Sequence, residues 1–201
     1  MRQELCIIGG IAAILLGISS SAQAAAEKYT LDPEHTTVLF FIKHAGFSNM
    51  VGSFRTVDGM LMLDRGHPEN SRVQIHLDPK SVQTSSNKLD YMLQGKKFFY
   101  TKKYPHIDFN GSKVKLTGKN TAEVTGNLSM LGALSPMTLN VTMNKEGDLF
   151  TQHRMGFSGN GALKRSDYGM LEYIPVVSDE VAIQVEAEFQ RVELEDKKKP
   201  R

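Results

Sequence analysis

The 201-residue chain carries 24 basic and 22 acidic residues, ten phenylalanines, ten methionines, no tryptophan and a single cysteine. One cysteine precludes an internal disulfide, so an ordinary apolar core has to hold the fold. The near-even charge balance excludes the strongly basic surface that nonspecific nucleic-acid binding demands, and no nucleic-acid partner is expected.

Residues 1–24, "MRQELCIIGGIAAILLGISSSAQA", join a short charged start, an apolar run of about a dozen residues and a small-residue ending. This is the pattern of a secretory signal peptide, too short and wrongly flanked for a lasting membrane span. A periplasmic or secreted protein starting near Ala25 is expected, with no transmembrane segment in the mature chain. Cys6 falls within the leader, which leaves the mature chain without cysteine.

From there the dominant period is two. Strands are legible around Val38–His44, Ser53–Leu63, Arg72–Leu77, His106–Leu116, Thr121–Leu131, Ser135–Lys145, Met155–Leu163 and Glu180–Gln190. "EVAIQVEAEFQ" sets Val181, Ile183, Val185, Ala187 and Phe189 on one face and Gln184, Glu186 and Glu188 on the other. "SPMTLNVTMNK" does the same with Met137, Leu139, Val141 and Met143. Turn signals such as "DRGHPEN", "TGKNT" and "NKEGD" separate the strands. "SSNKLDYMLQ", Ser85–Gln94, breaks the alternation and places Leu89, Met92 and Leu93 at helical spacing.

The expectation is one all-β domain over residues 25–190, with a short helical insertion. A two-sheet sandwich fits the alternation, but a closed eight-stranded antiparallel barrel of lipocalin type fits strands of this length better and leaves no open edge. "VLFFI", Val38–Ile42, is apolar on both faces, so cover is expected on both, from the interior and from the helix or a second copy of the chain. Residues 191–201, "RVELEDKKKPR", read as a charged solvated tail with at most a weak hold on anionic lipid headgroups. Arg2 and Glu4 lie in the leader and the tail holds five basic and three acidic residues, which leaves 18 of each between 25 and 190.

Chemistry-bearing motifs are sparse. His35 and His44 are nine apart, an odd separation that puts them on opposite faces of a regular strand, and no pair of histidines has ligand spacing; no metal site is expected. The chain has no nucleophile elbow, no mature cysteine and no phosphate-binding glycine loop. Asp108 and Glu123 sit singly in alternating strands, and the chain is not expected to be an enzyme or to use a cofactor.

Five segments in order resemble one family, the YceI-like or polyisoprenoid-binding proteins, from about Tyr29 to Phe189. They are "YTLDPEHTTVLFFIKHAGFSNMVGSF", "KSVQTSSNKLDYMLQGKKFFYTKKYPHIDF", "VTGNLSMLGALSPMTLNV", "LKRSDYGM" and "VSDEVAIQVEAEF". The resemblance implies an eight-stranded lipocalin-like barrel with an apolar internal cavity for long isoprenoid or other lipid chains, commonly exported and often dimeric. The chain departs from the family at Leu131, where a histidine is usual, and at Leu134 and Ser135, where a threonine and a basic residue are usual. Thr36 replaces a serine and Tyr168 a phenylalanine.

On that basis the expected ligand is a polyprenyl lipid, quinone or similar chain. Its lining is expected from Val38, Phe40 and Ile42 in the first long strand, Phe54 in the next and Phe109 further on. Leu128, Met130, Met137, Leu139 and Val141 continue it, followed by Phe157, Val181, Ile183 and Val185. Phe98 and Phe99, beside the helix, are placed to gate one end. His44, Lys164, Arg165 and Asp167 are the candidates for a polar headgroup, Arg165 and Asp167 being equally suited to a salt bridge or turn cap. A homodimer and transient membrane-surface contact are the expected further associations. The competing readings are a dimerising module with a self-filled interior and, behind it, a small exported enzyme.

Overall fold

The computed structural model describes residues 26–193. The expected signal peptide and all but the first three residues of the expected tail lie outside the described residues. Ten strands and one helix follow in order: β1 Glu27–His44, β2 Ser48–Phe54, β3 Val57–Leu63, β4 Arg72–Leu77, β5 Val82–Gln83, α1 Asn87–Leu93, β6 Ile107–Leu116, β7 Thr121–Met130, β8 Ala133–Leu149, β9 Gln152–Lys164 and β10 Val177–Arg191. β10 thus runs one residue past the expected end of the barrel at 190.

Eight of the strands close antiparallel into a barrel in the order β1, β10, β9, β8, β7, β6, β4, β3 and back to β1. Closure leaves these strands no edge to protect, which is what long alternating strands without a second sheet require. β1 is long enough to serve two partners on one side. Glu27–Thr30 pair with β3, and Val38–His44 pair with β2.

The expected strand Ser53–Leu63 is divided between β2 and β3. The backbone at Arg55 and Thr56 is taken by the 78–81 turn: Arg55 N donates to Ser81 O, Thr56 N to Ser81 Oγ and Asp78 N to Thr56 O. β1 begins eleven residues before Val38. Its first half escaped the period-two reading because a bulge sets Asp32 opposite Glu188 but Thr37 opposite Glu186, and Pro33–Thr36 lie in the excess. With a bulge between them, strand parity does not relate His35 to His44. What separates them is position: His35 bonds Asp32 in the bulge, whereas His44 ends β1.

His44, Met130, Lys164 and Val177 mark one end of the barrel, here the upper end; Glu27, Leu63 and Leu149 mark the lower. Tight turns join neighbouring strands at the upper end. Phe47 N returns to His44 O within the three residues that separate the paired His44 and Ser48, and Ala45 and Gly46 both have positive φ, which suits the right-handed twist of the strands they join. Leu131 and Gly132 do the same between β7 and β8. α1 lies within the expected Ser85–Gln94; the Asp90 carboxylate fixes its start by accepting from Thr84 N at 2.7 Å and Thr84 Oγ1 at 2.6 Å.

Candidate functional site

The barrel interior is not filled. It holds two apolar chambers, an upper one of about 760 Å³ and a lower one of about 380 Å³. Ile75, Phe109, Leu139 and Val185 belong to the walls of both, so the chambers meet at a waist halfway down the barrel. Alternation in the strands produces this lining directly. Val38, Phe40, Ile42 and His44 project into the upper chamber from β1, joined by Phe54, Leu128, Met130, Met137, Val181 and Ile183. Val141 and Phe157 line the lower chamber. Phe98 and Phe99, which follow α1, line the upper one near its opening.

Exposure follows the same geometry. Leu139, Val141, Ile183 and Val185 face inward yet are only half-buried, because their free surface looks into a chamber. Along β1, Val38 is buried, Phe40 and Ile42 are half-buried and His44 is exposed, a gradient that leads out of the upper end. Phe40, Phe54 and Phe99 form a chain of rings with centroids 5.7 and 5.5 Å apart, within the range of favourable aromatic contact. Gly52 makes room for it: a Cβ there would lie 2.2 Å from Phe40 Cζ.

The wall has a gap beside α1. β2 pairs with β5 only through Ser53 and Phe54, so on that side Ser48–Gly52 have no strand partner. Ser48–Val51 and the α1 side, Thr84, Ser85, Leu89 and Met92, all line the upper chamber there.

Of the four headgroup candidates, His44 and Arg165 reach the upper chamber; Lys164 and Asp167 are exposed and line neither. Lys164 follows inward-facing Leu163 and therefore points out of the barrel. Arg165 is 2 % exposed and its guanidinium donates to four carbonyls, of Ser178, Met170, Glu172 and Val177. Burial pulls its pKa below the usual arginine value. Instead of a salt bridge or a turn cap, it clamps the 170–178 segment over the upper end.

Charged groups at the lower end are bonded to one another. Arg65 pairs with Glu27 and Glu146, and Glu146 with His153. The Arg65 bond brings Glu27 down to about 2, while Glu146 and Asp148 raise the pKa of His153. Asp32, His35 and Glu188 have ligand atoms within 4.8 Å of one another. Their charge is already met by Arg154, whose Nη1 lies 2.8 Å from Asp32 and 2.9 Å from Glu188. That arrangement is an ion-pair network in the β1 bulge.

Residues 29–189 match the YceI-like domain family. The chain belongs to the YceI-like family. Curated relatives are UPF0312 proteins: one from Pseudomonas savastanoi pv. phaseolicola is 36 % identical over 80 % of this chain and 86 % of its own, and one from Azotobacter vinelandii is 34 % identical over 89 % and 95 %. Among solved structures, BcnA of Burkholderia cenocepacia superposes with a TM-score of 0.71 at 24 % identity, covering 79 % of this chain and 98 % of that one. The Campylobacter jejuni YCEI protein gives 0.66 at 26 %, over 75 % and 90 %. A polyisoprenoid binding domain from Saccharophagus degradans gives 0.59 at 16 %, over 82 % and 98 %.

Within this YceI-like barrel, strand parity did not reach the part of the lining that comes from outside the long strands. Leu89, Met92 and Leu93 enter from α1, and Met170 and Tyr173 from the segment that Arg165 clamps. The helical spacing of the first three was a usable signal. Nothing local marks Met170 or Tyr173, which depend on a turn folded back across the end of the barrel.

Proposed function

We propose that this YceI-like chain is an exported lipid-binding protein that sequesters or carries a long apolar chain of isoprenoid type, a polyprenyl lipid or a quinone, inside the barrel. The observation that carries this reading is the pair of apolar chambers sharing the four waist residues, a shape suited to one long chain rather than a compact ligand. Transfer of apolar surface from water contributes about 25 cal/mol per Å², so enclosing roughly 300 Å² of chain supplies about 7 kcal/mol before the cost of association. The Saccharophagus neighbour supports the ligand class through its stated polyisoprenoid binding, and through the shared fold alone. Export rests on the leader-like residues 1–24.

Binding rather than turnover is favoured by the poverty of ionisable groups in the upper chamber. Among the described residues its lining offers His44, Arg165 and Tyr173, and Arg165 is committed to backbone carbonyls. His44, at the open end, is the proposed contact for a polar headgroup. A second copy of the chain is the proposed cover for Leu39 and Phe41, which face out of β1 beside Val51 and Ala182. Sedimentation of Phe41→Lys against the parent tests that contact, with loss of a dimer expected.

The deciding experiment is native mass spectrometry of the purified protein before and after incubation with a polyprenyl alcohol or a quinone. A mass increase of one ligand is expected, abolished by Ile183→Arg in the upper chamber. A barrel that is empty and ignores both compounds refutes the proposal.

A further inference from the structure

The upper end of the barrel combines features not found together elsewhere on the described surface. Residues 95–104, "GKKFFYTKKY", hold four lysines and no acid, although residues 26–193 as a whole hold 19 basic and 19 acidic side chains. All four lysines are exposed. Of the four, Lys97 alone makes an ion pair among the described residues, with Glu172 at 2.7 Å. Lys96 and Lys103 lie over the rings of Tyr100 and Tyr104, 5.9 and 4.9 Å from the centroids. Apolar side chains project beside them. Phe47, at the tip of the β1–β2 turn, is 90 % exposed, and Leu134, Leu171, Tyr173 and Val176 are each more than half exposed.

Contacts join these pieces into one rim. Ala45 N donates to Val176 O, the Tyr173 ring lies tilted against Phe98 with centroids 6.3 Å apart, and a Cβ on Gly132 would meet Tyr104. Phe98 and Tyr173 also line the upper chamber, so basic loop, apolar tips and opening share one face. The lower end exposes Leu116, Leu149 and Phe150 as well, with Lys119 unpaired among the described residues, but there the carboxylates of Glu27, Glu123, Glu146 and Asp148 lie among the cations and pair with Arg65, Lys115 and His153.

We infer that the upper end docks on an anionic lipid bilayer, with Lys96, Lys97, Lys102 and Lys103 at the headgroups and Phe47, Leu171 and Val176 entering the interface. Four lysines set against one carboxylate, Glu172, attract an anionic surface, and aromatic or aliphatic tips beside them add a grip that uncharged headgroups alone do not provide. Docking by this face would bring the chamber opening to the membrane, so that an apolar chain passes between the two without crossing water. The choice of a bilayer over an acidic protein rests on the proposed lipid cargo; the charge and apolar geometry do not.

The test is cosedimentation of the soluble protein recovered from cells expressing the full chain, with vesicles of phosphatidylglycerol and phosphatidylcholine or of phosphatidylcholine alone. Binding to the anionic vesicles, weakened by salt, is expected. K96Q/K97Q/K102Q/K103Q should lower it by about 100-fold and Phe47→Ser by about tenfold. K113Q/K115Q on β6 and K197Q/K198Q/K199Q in the C-terminal segment should leave it within about twofold. Docking is refuted if the parent ignores anionic vesicles, if the quadruple variant binds as well as the parent, or if the C-terminal variant alone removes binding. Selective capture of an acidic soluble protein without vesicle binding also refutes it. Polyprenyl retention, read separately by native mass spectrometry, should survive in the quadruple variant. A parent that docks but holds no polyprenyl chain refutes the cargo while the docking surface stands.

Discussion

Two side chains show how little slack the upper chamber has at the scale of single residues. Phe40 keeps its place because Gly52, opposite it on β2, has no Cβ. Gly52→Ala forces the ring aside, and by the usual cost of overpacking it should destabilise by about 1–3 kcal/mol. Phe40→Leu in the same chain should recover much of that loss, as measured by urea denaturation; equal stability of parent and Gly52→Ala contradicts the packing. Arg165 is the other case. Replacing it with methionine keeps the bulk but leaves four carbonyls without their donor, at an expected cost of about 3 kcal/mol. Lysine, which keeps the charge but not the fork, should restore only part of it.

At the scale of elements, the bulge in β1 depends on charges whose titration has a definite sign. Burial alone would push Asp32 up, but hydrogen bonds from His35, Gln190, Arg154 and the Glu34 amide outweigh it and bring it from 3.8 to about 2. Glu27, held by Arg65, falls from 4.5 to about 2. A carboxylate with a depressed folded pKa stabilises fully above its unfolded value, and the gain disappears as pH falls through the folded one. Stability should therefore drop between about pH 4.5 and pH 2, with a shallower acid limb in Asp32→Asn. His153 acts in the opposite direction. Its raised pKa makes its contribution complete below 6.5 and lost as pH climbs through the raised folded value, and His153→Gln should flatten that limb. Urea midpoints across the pH range check both. The same bulge explains where sequence reading failed. Alternation was readable wherever one face meets the interior and the other water, as in β8 and β10, whose alternate side chains face the two chambers. It was lost over Pro33–Thr36, where the backbone leaves the ladder, and it gave no sign that carbonyls of the following segment, Met170 to Ser178, hold the Arg165 guanidinium.

The whole molecule poses a question of length that neither residues nor elements answer. The two chambers meet only at Ile75, Phe109, Leu139 and Val185, and the lower one has Arg65 bonded to Glu146 in its lining. A chain entering from the upper end has the larger chamber available at once, and only a longer one must thread the waist. Leu139→Trp adds bulk at that point, with chamber space on either side to receive the ring, so the fold should tolerate it better than a filled core would. Short isoprenoid alcohols should bind the variant as they bind the parent. Long ones should lose about tenfold in affinity, since the portion beyond the waist no longer leaves water. Leu63→Trp, deep in the lower chamber, should weaken only the longest chains and by less. Competition between short and long alcohols, read by native mass spectrometry, separates these outcomes. If all three proteins rank the alcohols identically, the lower chamber takes no part in binding, and the length of the cargo is set by the upper chamber alone.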